Sequence, residues 1–168
     1  MKLFSLFKRR REQKLDFKNE KDFGKILNQG IFFEDTEKFL KWGCSAKEIA
    51  KELEIKEKRF ADRTVYNWGE QNILGGLKLP LSTVYWDHHE ASRYKVFSSV
   101  EFRTSGDDIS ENYFKLINAH LEKLFAAPKR KEVNDKSVSF EWIISDTRIY
   151  LYFFEKDVKK LIFEIRRL

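Results

Sequence analysis

The sequence predicts an α+β fold built from two pseudo-repeats, each a helix followed by three antiparallel strands, with N-terminal helices ahead of them. Three observations carry this prediction. Two stretches, around 45–54 and 108–125, open on a capping pattern and continue with apolar residues at helical spacing. After each stretch the apolar period drops to two, as in strands. The two successions also match residue by residue. Thr64-x-Tyr66-x-Trp68 parallels Val138-x-Phe140-x-Trp142, and Val100-Glu101-Phe102-Arg103 parallels Phe163-Glu164-Ile165-Arg166. The expected segments are 1–30 as an N-terminal helical part, 31–104 as the first unit and 105–168 as the second, within one compact domain.

In chain order, residues 16–30 read as helical, with Phe17, Phe23, Ile26 and Leu27 apolar and Gly30 as the stop. Residues 34–41 read as a short helix. Ser45-Ala-Lys-Glu48 is a capping box, in which the Ser hydroxyl and the Glu carboxylate satisfy free N–H groups at a helix start. Ile49, Ala50 and Leu53 form the stripe of that helix. From 63 to 69 the chain alternates as a strand. "ILGGLKLP" reads as an irregular connection, with Gly75-Gly76 and Pro80 as breakers. Strands are expected at 82–87 and 94–103 around the turn "HHEAS". Asp108-Ile-Ser-Glu111 is the second capping box, and it opens the longest helix, ended by Pro128. Strands at 137–144, 147–155 and 160–167 follow, rich in Ile, Tyr, Phe and Val.

Composition bounds the class. The 168 residues suffice for one domain that buries about 70% of its unfolded surface. Sixteen Phe and a 15% aromatic share favour a packed core over disorder. The net charge of +6 permits nucleic acid or an anionic membrane as partner, but 27 acidic residues are interspersed with the 33 basic ones. The single Cys44 forms no internal disulfide, which fits a reducing cytoplasm. No apolar run reaches the length of a membrane span. Leu3, Phe4 and Phe7 followed by Lys8–Arg11 are compatible with weak contact to a membrane surface, or with a docked or solvated N-terminal helix.

Gly43-Cys44-Ser45-Ala46-Lys47-Glu48-Ile49 resembles the "G-x-S/T-x-x-E-V/I" helix opening of the outer-membrane assembly lipoprotein domain (BamE, or SmpA/OmlA). Leu124-Phe125-x-x-Pro128 resembles that family's helix ending. The resemblance implies two helices followed by a three-stranded antiparallel sheet. A tandem copy is similar in outline to the β-lactamase inhibitor protein, whose sheet offers a concave face to its target. The first unit departs from the pattern, with Glu54-Ile55-Lys56 where the family has Gly-Pro, and no lipobox precedes Cys44.

"WGCSAKEIAKELEI", 42–55, also resembles the first half of a DNA-binding helix-turn-helix. Such a motif needs a tight turn and a capped second helix for the major groove. The turn position is Glu54, a residue that does not favour positive φ, and no Ser, Thr, Asp or Asn cap follows. "EKRFADRTVYNWGEQ" passes into strand alternation by Thr64. Specific nucleic-acid recognition is therefore not expected.

Asp87, His88 and His89 resemble the third motif of DHH phosphoesterases, where Mn or Zn ligands gather at a strand end. The only other histidine is His120, on the apolar stripe of the long helix, and there is no Asp-x-Asp motif. A polar hairpin turn accounts for Asp87-His88-His89 without metal. Gly75-Gly76 lacks the flanking residues of a phosphate loop. Asp107-Asp108 suits a helix start through the helix dipole. No serine has a His and Asp beside it, and no cofactor is expected. Trp68, Trp86 and Trp142 are the candidates for a partner-binding face, against core packing of the same residues. The expected function is non-enzymatic binding of a macromolecule, foremost a protein. An immunity-type protein, which neutralises a bacterial toxin inside the producing cell, fits the size and outline. The alternatives are a helix-turn-helix regulator and a small metal-dependent hydrolase.

Overall fold

The computed structural model describes residues 16–17, 19–55, 57–86 and 96–168. Asn19 caps a 3-10 turn, Glu20–Asp22, by accepting from the Lys21 amide, and the turn continues into α1 (Phe23–Leu27). The helix predicted over 34–41 is instead part of a hairpin, β1 (Gly30–Phe33) and β2 (Lys38–Lys41). Ile31, Phe33 and Leu40 are buried at a two-residue period, and the polar run Glu34–Glu37 turns the chain between them. Gly30 does not end a helix; it starts β1. A Cβ there would overlap the Leu40 carbonyl, so the close strand approach requires glycine.

α2 (Ala46–Glu52) begins with the Ser45 half of the expected capping box: the Ser45 hydroxyl accepts from the Glu48 amide, and Ile49 and Ala50 are buried. Glu54 does take a positive φ of 57°, contrary to the expectation from its side chain. The turn leads not to a second helix but to β3 (Glu57–Arg59), paired with β4 (Arg63–Ile73). Residues 42–69 therefore do not form a helix-turn-helix. "ILGGLKLP" is not irregular either. A turn at 74–76 joins β4 directly to β5 (Leu77–Trp86), and Pro80 lies inside β5. Among the described residues the register of β5 with its other neighbour, β6 (Ser99–Ser105), is Ser82↔Glu101 alone, so the missing Pro80 N–H breaks no described ladder on that side.

The long helix α3 (Asp107–Phe125) has Gly106 as its N-cap and no side-chain capping bond. The second capping box is thus a correction: Glu111 is spent on Lys115 and Lys159, and Asp107 accepts from the Lys159 amide. After α3 come β7 (Arg130–Asn134), β8 (Ser137–Ile144), β9 (Thr147–Phe154) and β10 (Lys160–Arg167).

All strands after α2 form one antiparallel sheet of eight, in the order β3-β4-β5-β6-β10-β9-β8-β7. The expected pair of three-stranded units is corrected accordingly: each half supplies four strands, and the halves join edge to edge through β6 and β10. In that seam Val100 faces Ile165, Glu101 faces Glu164 and Phe102 faces Phe163. The two strands of this sheet missing from the sequence reading, β3 and β7, are its outer edges. Both are short and highly charged, and every β7 residue is exposed, so neither carries an alternating apolar signature.

The core lies on one face of the sheet. Phe114 of α3 packs its ring on Phe140 and Phe153, and Tyr113 packs on Phe102. Ile117 and Leu121 are fully buried against the same layer. The β1–β2 hairpin joins this layer through Phe33, whose ring meets Trp68. The Leu27 carbonyl at the end of α1 accepts from both the Trp42 indole and the Thr147 hydroxyl. It thereby ties the N-terminal hairpin to β9.

Candidate interaction face

Side chains alternate across a strand, so the residues between the core positions form the second face of the sheet. On β9, Ile149 and Leu151 point into the core, and Tyr150, Tyr152 and Phe154 point out. Among the described residues no helix packs on this outward face. The three outward rings form a column. Tyr150 and Tyr152 have ring centroids 6.1 Å apart, with planes 9° from parallel. Tyr152 and Phe154 follow at 6.4 Å and 18°. Ile162 of β10 stands beside Tyr152 in register. All four side chains are half-buried.

Arginines and glutamates surround the column. Arg103 binds Glu101 through two nitrogens, at 3.0 and 2.9 Å. Glu164 accepts from Arg148 at 3.2 Å and pairs with Arg166 at 2.6 Å. Glu141 sits 3.8 Å from Arg148 and 3.3 Å from Arg130. The Arg148 guanidinium also lies over the Tyr150 ring, 5.5 Å from its centroid. Burial pushes the Tyr150 hydroxyl above its ordinary pKa, opposed by its hydrogen bond with Ser139. Near the other end of the face, the Arg63 guanidinium lies 4.6 Å from the Phe60 ring centroid and 5.0 Å from that of Trp86.

The tryptophans do not form one surface. Trp68 and Trp142 occupy the core layer and are buried, which removes them as partner-binding residues. Trp68 donates to Thr83 Oγ1 and Trp142 to the Ala126 carbonyl. Trp86 alone of the three lies on the outward face. Asp87, His88 and His89 lie outside the described residues, as does the Leu3–Arg11 segment. His120 is partly buried, with Nε2 2.7 Å from the Leu74 carbonyl oxygen, as suits a rim histidine tied to the backbone. No group of three or more His, Cys, Asp or Glu among the described residues is placed to hold a metal ion. No helix of the described residues is long and apolar enough to cross a membrane.

Sequence reasoning missed Tyr150, Tyr152 and Phe154. The reason is visible in "IYLYFF": after Arg148 both phases of the alternation are apolar or aromatic, so those six residues do not say which phase faces out. The adjacent "EIRR" and "SFEWII" held a signal. Glu141 on β8 and Glu164 on β10 mark the outward phase of their strands, as Arg148 does at the start of β9.

No family model, no curated protein and no solved structure matches the chain.

Proposed function

We propose that this protein is a non-enzymatic, intracellular binder of another protein, and that the outward face of the sheet is its docking surface. One observation carries the reading: a broad antiparallel sheet is covered on one side by helices and a hairpin, while its other side presents an aromatic column bordered by arginines. Aromatic side chains and arginine are the residue types that dominate protein interfaces. An immunity-type inhibitor of a bacterial toxin is one role such a surface serves.

We further read the two halves as pseudo-repeats of a helix with four strands. Tyr66 faces Thr83 as Phe140 faces Leu151, and Ser82 faces Glu101 as Tyr150 faces Glu164. In that correspondence Trp86 and Phe154 occupy equivalent outward positions, and the second half has exchanged Ser82 and Val84 for Tyr150 and Tyr152. The second half is then the anchor of the face. The helix-turn-helix alternative lacks a second helix after α2 to enter a groove.

The test is site-specific photo-crosslinking in the producing cell. A photoreactive phenylalanine at Tyr152 should give a discrete protein adduct, and the same residue at exposed Asn112 on α3 should not. Equal labelling from both positions, or adducts from neither, would reject the outward face as the docking surface.

A further inference from the structure

We infer that the partner seated on this face presents an acidic surface, with isolated carboxylates that meet the arginines around an apolar projection packed on the Tyr150–Tyr152–Phe154 column. The inference rests on the protein-binding role proposed above and adds the partner's chemistry.

Around the seam and the column, the arginine-bound glutamates and three of their arginines are not equally accessible. The side chains of Glu101, Glu164 and Glu141 are only 8%, 10% and 13% exposed. Those of Arg103, Arg166 and Arg130 are 50%, 50% and 69% exposed. These three carboxylates lie low on the sheet and hold the guanidinium stems in place, while Glu132 at the β7 edge is the exposed acid nearest the column. Over β6, β10 and β9 an approaching molecule therefore meets guanidinium edges and aromatic rings, with Glu101, Glu164 and Glu141 beneath them. Exposed Lys160, opposite Phe154 in register, adds a further positive group beside the column. Guanidinium groups already oriented by buried acids lose little side-chain entropy on binding a second carboxylate.

Two other occupants fit less well. A second copy of the chain would set these arginines against their own counterparts, and like charges brought together at an interface cost several kcal/mol. A nucleic-acid backbone needs an unbroken positive track for phosphates at regular spacing. Here Arg103 and Arg166, on β6 and β10, are separated from Arg130 on β7 by the aromatic column on β9 and by β8, so the exposed positive groups form no continuous track. Separate carboxylates on a folded protein can match separate arginines.

The experiment is selection of a random-peptide phage library on the full chain at about 150 mM salt, where charges farther apart than ~8 Å are screened. The enriched peptides should carry net negative charge together with aromatic or large aliphatic residues. Synthetic versions should shift backbone amide signals of β6, β9 and β10. They should lose about 30-fold in affinity on Tyr152→Ala, as for a central anchor, and weaken with reduced salt dependence on Lys160→Glu. If Tyr152→Ala does not fold, Phe154→Ala on the same column takes its place. Neutral or basic winners that still depend on Tyr152 would overturn the acidic partner and leave the docking face standing. Winners indifferent to the column and shifting signals elsewhere would overturn both. Failure of any peptide to enrich counts against the acidic partner, with the crosslinking result judging the face on its own. Displacement of the acidic peptide by an equal concentration of uridine homopolymer would replace the protein by single-stranded RNA.

Discussion

Glu101 and Glu164 stand directly opposite each other where β6 meets β10, both nearly buried, in the middle of an eight-stranded sheet. Like charges facing across an antiparallel pair repel. The arrangement persists because each acid has its own arginines: Arg103 grips Glu101, and Arg148 and Arg166 share Glu164.

This balance sets the sign of a double-mutant cycle. Glu101→Gln and Glu164→Gln each lose charge-assisted bonds, at about 1–3 kcal/mol. Each also relieves the same mutual repulsion, and the double variant can relieve it only once. The double should therefore be less stable than the sum of the singles, by about 0.5 kcal/mol or more. Urea denaturation of the four proteins checks it, and strict additivity would mean that the two acids do not sense each other.

Trp68→Ala and Trp142→Ala should each cost about 3–5 kcal/mol, the range for emptying a large aromatic site in a core. Both indoles are buried and both N–H groups are bonded. Chemical denaturation measures the loss. A change below about 1 kcal/mol at either site would contradict the core position.

The Leu27 carbonyl predicts a second coupling. It accepts from Trp42 Nε1 at 2.6 Å and from Thr147 Oγ1 at 2.9 Å, so one donor remains after either is removed. Trp42→Phe or Thr147→Val alone should cost about 0.5–1.5 kcal/mol. Together they strand a buried carbonyl at a helix end, and the loss should exceed the sum by about 1 kcal/mol. Equality with the sum would show that water or another group takes over.

Glu111 predicts a pH dependence. Hydrogen bonds from Lys115 and Lys159 hold its carboxyl down to about 2. The unfolded carboxyl titrates near ~4.3. The folded state thus binds this proton less tightly. The contribution is whole above the unfolded value and disappears as pH falls toward the folded one. Glu111→Gln should flatten the acid arm of the stability curve in that window and leave the neutral region's slope unchanged. High salt should reduce the difference, since the pair is exposed. An unaltered acid arm would remove Glu111 from the account.

By itself, the sequence determined the elements whose burial is one-sided or whose caps are explicit. "SAKEIAKE" forms α2 behind Ser45, and 137–144, 147–154 and 160–167 are strands within a residue of expectation, because alternation and capping are local physics. The parallel between Trp68 and Trp142 was equally legible, and both do share an inward, buried environment. Tertiary structure decided the rest. β3 and β7 are strands only because a neighbour supplies their hydrogen bonds, since their own residues are charged and largely exposed. The hairpin at 30–41 overrode a helical reading because Ile31, Phe33 and Leu40 had a core to enter. The joining of β6 to β10, and with it the facing of Glu101 and Glu164, depends on contacts between residues distant in the chain, which no local pattern encodes. The outward aromatic column was hidden for the same reason. In a strand apolar on both sides, which side is covered depends on where the helices pack.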